Sequence, residues 1–106
     1  MHTPQPPTKT VLRYEVPIDS QPHTFRLTYG PHKLAAKSIR VTGSSVTHRV
    51  EFWTEHEDGV TAVERTFQVF GTGQPIPSSA RIVGTAERLD GLVWHLYEMF
   101  PEEDQP

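Results

Sequence analysis

At 106 residues the chain has room for one domain and not for two. A chain of this length buries roughly two-thirds of its unfolded surface, enough for one modest core. With no cysteine, a disulfide framework, thiol catalysis, cysteine-ligated zinc and iron–sulfur clusters are all excluded. A net charge of −3 argues against a dedicated nucleic-acid binder. No apolar run approaches the ~18 residues of a membrane span, so the cytoplasm is the expected compartment.

Residues 1–10, with Pro4, Pro6 and Pro7, read as a flexible, polyproline-like lead. From Val11 to Val16 the side chains alternate, with Leu12, Tyr14 and Val16 opposite Arg13 and Glu15, and Pro17 closes that strand. Asp19 to Pro22 supplies a turn. A second strand follows, with Phe25, Leu27 and Tyr29 opposite Thr24, Arg26 and Thr28, and Gly30-Pro31 breaks it. Residues 33–43 lack room for an ordinary helix and are expected to form one bent strand. Val46 to His56 is a longer strand, with His48, Val50 and Phe52 on one face and Arg49, Glu51, Trp53 and Glu55 on the other. Asp58-Gly59 predicts a hairpin into the next strand, where Phe67 and Val69 share a face.

That strand runs into Gly71-Thr-Gly-Gln-Pro-Ile-Pro77, which permits neither a continuing ladder nor a helix. Arg81 to Glu87 is a strand in which Gly84 marks a bulge or a close backbone approach. Asp90-Gly91 predicts a second hairpin. Leu92 to Glu98 closes the pattern, with Leu92, Trp94 and Leu96 facing one way and Val93, His95 and Tyr97 the other, as in a central strand covered on both sides. Residues 101–106 read as an acidic tail, so the β domain is expected over 11–100. The fold class is all-β: a small antiparallel sandwich or barrel of about seven short strands. Its predicted core is Leu12, Tyr14, Phe25, Leu27, Val50, Phe52, Phe67, Val69, Ile82, Leu92, Trp94 and Leu96.

Charge is unevenly spread. Residues 1–50 hold seven basic and two acidic residues, and residues 51–106 hold three basic and eleven acidic ones. Either the halves interleave and their charges pair across strands, or the molecule has a basic and an acidic face; interleaving is the expectation.

Few residues suggest chemistry. Gly71-Thr72-Gly73 could cradle an anion with consecutive backbone amides, but no Walker lysine, third glycine or βαβ unit accompanies it. A turn needing positive φ explains it better. His95 has no carboxylate on its own strand face, since Glu98 points the other way, and is expected to hydrogen-bond to backbone rather than act as a base. His48 and His56 stand about 27 Å apart along an extended strand, too far to share a metal. The acidic cluster Glu55-His56-Glu57-Asp58 reads as a solvated hairpin tip. No catalytic residue, metal site or cofactor is expected.

The runs Arg65–Pro77, Val83-Gly-Thr85, Leu92–Glu98 and Val11–Pro17, with the strand reaching Trp53, resemble a family of short uncharacterised proteins. These occur in actinobacteria and in the tailed phages that infect them. The resemblance covers roughly residues 11–98 and is most specific at Phe70-Gly-Thr-Gly-Gln-Pro-Ile-Pro77. It implies no activity and no catalytic residue, only the context of an accessory protein in a bacterial cytoplasm.

The expected function is therefore a non-enzymatic protein-interaction module using Trp53 and the loop Gly71, Thr72, Gly73, Gln74 and Pro75. A homo-oligomer is compatible with this, and a membrane is not a partner. One alternative is a nucleic-acid-binding β-barrel using Arg13, Arg26, Lys37 and Arg40. A second is a minor virion or assembly component.

Overall fold

The computed structural model describes residues 6–31, 40–43 (backbone only), 48–87 and 91–101. It contains seven strands: β1 (Thr10–Pro17), β2 (His23–Leu27), β3 (Arg40–Gly43), β4 (His48–His56), β5 (Val63–Gly71), β6 (Arg81–Glu87) and β7 (Val93–Met99). They form two antiparallel sheets, of order β1-β4-β3 and β2-β5-β7-β6. The all-β expectation holds, as a two-sheet sandwich and not a closed barrel. The flanking segments 1–5 and 102–106 lie outside the described residues, as do most of the expected bent strand and Asp90.

Alternation builds the centre. Tyr14 and Val16 of β1 and Val50, Phe52 and Thr54 of β4 face Phe25 and Leu27 of β2, Phe67 and Val69 of β5, and Trp94 and Leu96 of β7. Phe52 and Phe67 meet across the sheets with ring centroids 4.8 Å apart, and Tyr14 stacks on Phe52 at 5.4 Å. Each such fully buried side chain contributes roughly 1.5–3 kcal/mol. After β2, the chain is stapled to the end of β4: the buried Thr54 hydroxyl donates to the Tyr29 carbonyl at 2.8 Å and lies 3.2 Å from that of Gly30.

Three expected core residues are not there. Leu12 is 36 % exposed near the free end of edge strand β1. Leu92 precedes β7 and is 49 % exposed. Ile82 is 58 % exposed, because an irregularity between Ile82 and Gly84 shifts the phase of β6. This is the bulge that Gly84 signals, and it turns Val83 toward the core instead. Val16, Phe70 and Ala86, which are not in the predicted core, are buried.

The Asp58-Gly59 hairpin is also corrected. Gly59 does sit in a turn with φ 86°, and Val60 N–H donates to the Glu57 carbonyl at 3.3 Å. But β4 and β5 belong to different sheets, so the turn carries the chain across the sandwich. Turn chemistry is local, whereas the choice of strand partner is not. The second hairpin stands, since β6 and β7 pair directly and Gly91 has φ 88°.

The halves of the chain interleave as expected. β1 pairs with β4 and β2 with β5, and Arg13–Glu51, Arg26–Glu64 and Lys9–Glu55 ion pairs cross between them.

Candidate functional site

The Gly/Pro loop leaves β5 through a tight turn. Gln74 N–H donates to the Gly71 carbonyl at 3.1 Å, Gly71 N–H donates back to Gln74 Oε1, and Gly73 has φ 90° as the third residue. Positive φ at that position is the type II requirement. Gly71 sits against the Trp94 indole, where an added Cβ would lie 3.1 Å from Cζ3. The two glycines thus serve one close approach and one left-handed backbone. The Gly71 amide is already engaged, which removes a donor from an anion cradle.

Thr72 projects to the outer side of the four-stranded sheet and lies 3.0 Å from His95 Nε2, while Thr85 Oγ1 lies 3.0 Å from Nδ1. His95 is therefore held by two hydroxyls rather than by backbone, one ring nitrogen donating and the other accepting when the imidazole is neutral. Glu98 is on the opposite face, as alternation requires. The arrangement anchors the loop to the sheet and offers no carboxylate to orient a base. Gly71, Thr72, Gly91, Leu92, Val93 and Trp94 line a cavity of about 410 Å³ beside the loop. The Trp94 indole N–H is buried without an acceptor.

Trp53 is not part of this region. It is half-buried on the outer face of the three-stranded sheet, opposite Arg13 and among Arg49, Glu51 and Glu55. That face is ionic. Glu15 and Glu51 are directly opposed, an unfavourable pairing of like charges. Arg13 reaches both, at 4.0 and 3.3 Å, and Arg49 reaches Glu15 at 3.5 Å.

The nucleic-acid stripe does not assemble among the described residues. Arg13 is on this outer face and Arg26 is across the sandwich on β2, where it faces Glu64 at 3.8 Å. Lys37 and the Arg40 side chain lie outside the described residues. His56 Nε2 lies 3.1 Å from Asp58, and Glu57 accepts the Tyr29 hydroxyl at 2.8 Å, which raises the Tyr29 pKa. Among the described residues no three His, Cys, Asp or Glu side chains converge on a metal position. Nor is any helix there long and apolar enough to cross a membrane.

The outer face of the four-stranded sheet is of opposite character. Across β5, β7 and β6 it carries Thr66, Gln68 and Phe70, then Val93, His95, Tyr97 and Met99, then Ile82 and Thr85, with no charged side chain among them. Phe70 is 5 % exposed and meets Tyr97 edge-on at 5.6 Å. Charge returns at the rim, with Arg26 and Glu64 toward β2 and Glu87 at the end of β6. Among the described residues no strand covers this face, so β7 is central but packed against another sheet on one side only. Alternation places Tyr97 here with Val93 and His95, and Phe70 opposite the face of Phe67 and Val69; Ile82 is missed because the bulge reverses its direction.

No curated protein and no solved structure matches the chain. A family model described as a domain of unknown function, DUF7352, matches residues 7–106, and the chain belongs to that family.

Proposed function

We propose that this domain is a non-enzymatic protein-interaction module whose contact surface is the outer face of the four-stranded sheet together with the Gly71–Pro75 loop. The observation that carries the reading is the contrast between the two outer faces. One is a lattice of ion pairs around Trp53, and the other has no charge between its rims but presents Tyr97, Met99 and an exposed Ile82 around a buried Phe70. Loss of charge at the centre, enrichment in aromatic residues and methionine, and a polar rim distinguish contact surfaces from ordinary surface. Thr72, tied to His95, holds the loop at the edge of that face. The resemblance to proteins of actinobacteria and their phages supports an accessory role in a bacterial cytoplasm, as a host-directed factor or a minor assembly component.

The test is affinity capture from host lysate with the full chain, Ile82→Asp and Trp53→Ala as parallel baits. A partner retained by the parent and by Trp53→Ala, and lost by a folded Ile82→Asp, is the expected result. Equal recovery by Ile82→Asp would remove the uncharged face from the contact. Capture that weakens steeply between low and physiological salt would point to nucleic acid instead.

A further inference from the structure

A cleft of about 430 Å³ is lined by Arg65, Arg81, Ile82, Val83, Glu98 and Phe100. Its charges are two guanidiniums and one carboxylate, an excess of positive charge on a chain of net charge −3. The carboxylate is already committed: Glu98, nearly buried, accepts from Arg65 Nη1 at 2.9 Å. That contact is single, and the Arg65 Nε–H is buried without an acceptor.

Arg81 stands opposite Glu98 in the ladder, yet no carboxylate among the described residues lies within ion-pair distance of it. Its guanidinium lies over the Phe100 ring, 5.1 Å from the centroid. Phe100 is held in turn by the Ser79 hydroxyl, which donates to its carbonyl at 3.0 Å. A guanidinium positioned by a ring, with its fork uncommitted among the described residues, is suited to bidentate recognition of a planar anion.

We propose that this cleft is a binding site for an organic carboxylate, with Arg81 as the anchoring cation. Val83 and Phe100 form the wall against which the apolar body of that acid packs. One uncommitted guanidinium and an apolar wall select a monoanion with a hydrocarbon portion over a phosphate, whose second charge would meet Glu98. The volume suits a small acid or the last residue or two of a peptide, since about 430 Å³ is within the ordinary range of ligand pockets. The site does not rest on the outer-face reading: the cleft can bind its acid whether or not a partner is captured through the neighbouring face.

The test is a titration of the full-length chain followed by amide chemical shifts. The probes are N-acetyl-leucine, an octapeptide ending in leucine with a free carboxylate, the amidated forms of both, and inorganic phosphate. Saturable shifts at Arg81, Val83 and Phe100 with the free acids, absent with the amides, are expected. The small acid should bind in the millimolar range. Tighter binding by the octapeptide identifies a polypeptide terminus as the source, and equal or weaker binding identifies a free acid.

Arg81→Gln should weaken the acids at least ~tenfold while leaving the melting temperature unchanged, because Arg81 is exposed and has no ion pair to lose among the described residues. The proposal is overturned if acids and amides bind alike, if Arg81→Gln binds as well as the parent, if phosphate alone shifts these residues, or if no probe saturates.

Discussion

Replacing Gly71 with alanine tests the close approach at the root of the loop. The new methyl would lie 3.1 Å from Trp94 Cζ3, 3.4 Å from Gln74 Oε1 and 3.6 Å from Trp94 Cε3. Carbon atoms settle at about 3.5–4.0 Å, so the indole must yield by roughly half an ångström. Trp94 packs against a core in which Phe67 and Leu96 are fully buried, so a shift to that side meets buried side chains, while the cavity it lines beside the loop leaves room on the other. Overpacking of this kind costs about 1–3 kcal/mol. Against it stands a gain of about 0.4–1 kcal/mol from restricting the unfolded chain, available because the Gly71 φ is not positive. The balance is a loss of roughly 0.5–2 kcal/mol, seen as a fall in melting temperature of about 3–10 °C for a domain of this size.

Thermal melts by circular dichroism, with urea titrations to confirm an unchanged slope, give the single-variant value. The decisive measurement is a double-mutant cycle with Trp94→Phe, which removes the outer part of the ring that the methyl meets. A coupling of at least ~0.5 kcal/mol is expected, the alanine being better tolerated beside phenylalanine. Strict additivity, or a Gly71→Ala chain more stable than the parent, would refute the account.

Three further outcomes follow from contacts elsewhere. Thr54→Val keeps the shape but strips a buried hydroxyl from the Tyr29 and Gly30 carbonyls, and should cost about 1–3 kcal/mol in urea unfolding. Glu98→Ala leaves Arg65 largely enclosed without its counter-charge and should cost about 2–4 kcal/mol, whereas Glu98→Ala combined with Arg65→Met should recover much of that loss. Tyr29 should titrate above its ordinary 10.0, because its hydroxyl donates to Glu57, and Glu57→Gln should bring it back down. Since folding raises this pKa, the stabilisation is complete below the unfolded value and is lost as the pH rises through the folded one, which phenolate absorbance against pH will follow.

Alternation along single strands was legible. Tyr14, Phe52, Phe67, Trp94 and Leu96 point inward because each inner face must bury its apolar set, and period two fixes which set that is. What could not be read was which strands meet. The Asp58-Gly59 turn is sound local chemistry, but it joins different sheets, and the partner of β4 is decided by β1 on the far side of the sequence. Leu12 and Leu92 obey the alternation yet lie where their strands end, beyond the overlap that buries a side chain. At the candidate site the turn and its glycines were visible, whereas the Thr72–His95 contact joins residues 23 apart and left no mark in either segment. The cleft at Arg81 was invisible for a similar reason, since its members come from β5, β6, β7 and the residue after β7.

The irregularity at Val83 resolves a problem of parity. Both Arg81 and Ala86 face inward, opposite Glu98 and Trp94, but β6 takes one step more than β7 between those two pairs. In a regular ladder one of the two would be turned to the wrong side, so either the guanidinium would leave the cleft or the core would lose its alanine. The supernumerary residue lets a polar end and a greasy end coexist along one short ribbon. Excising Val83 would leave the two strands with equal steps between those pairs, so a plain ladder would keep both partners and forfeit only the packing of Val83 against the centre.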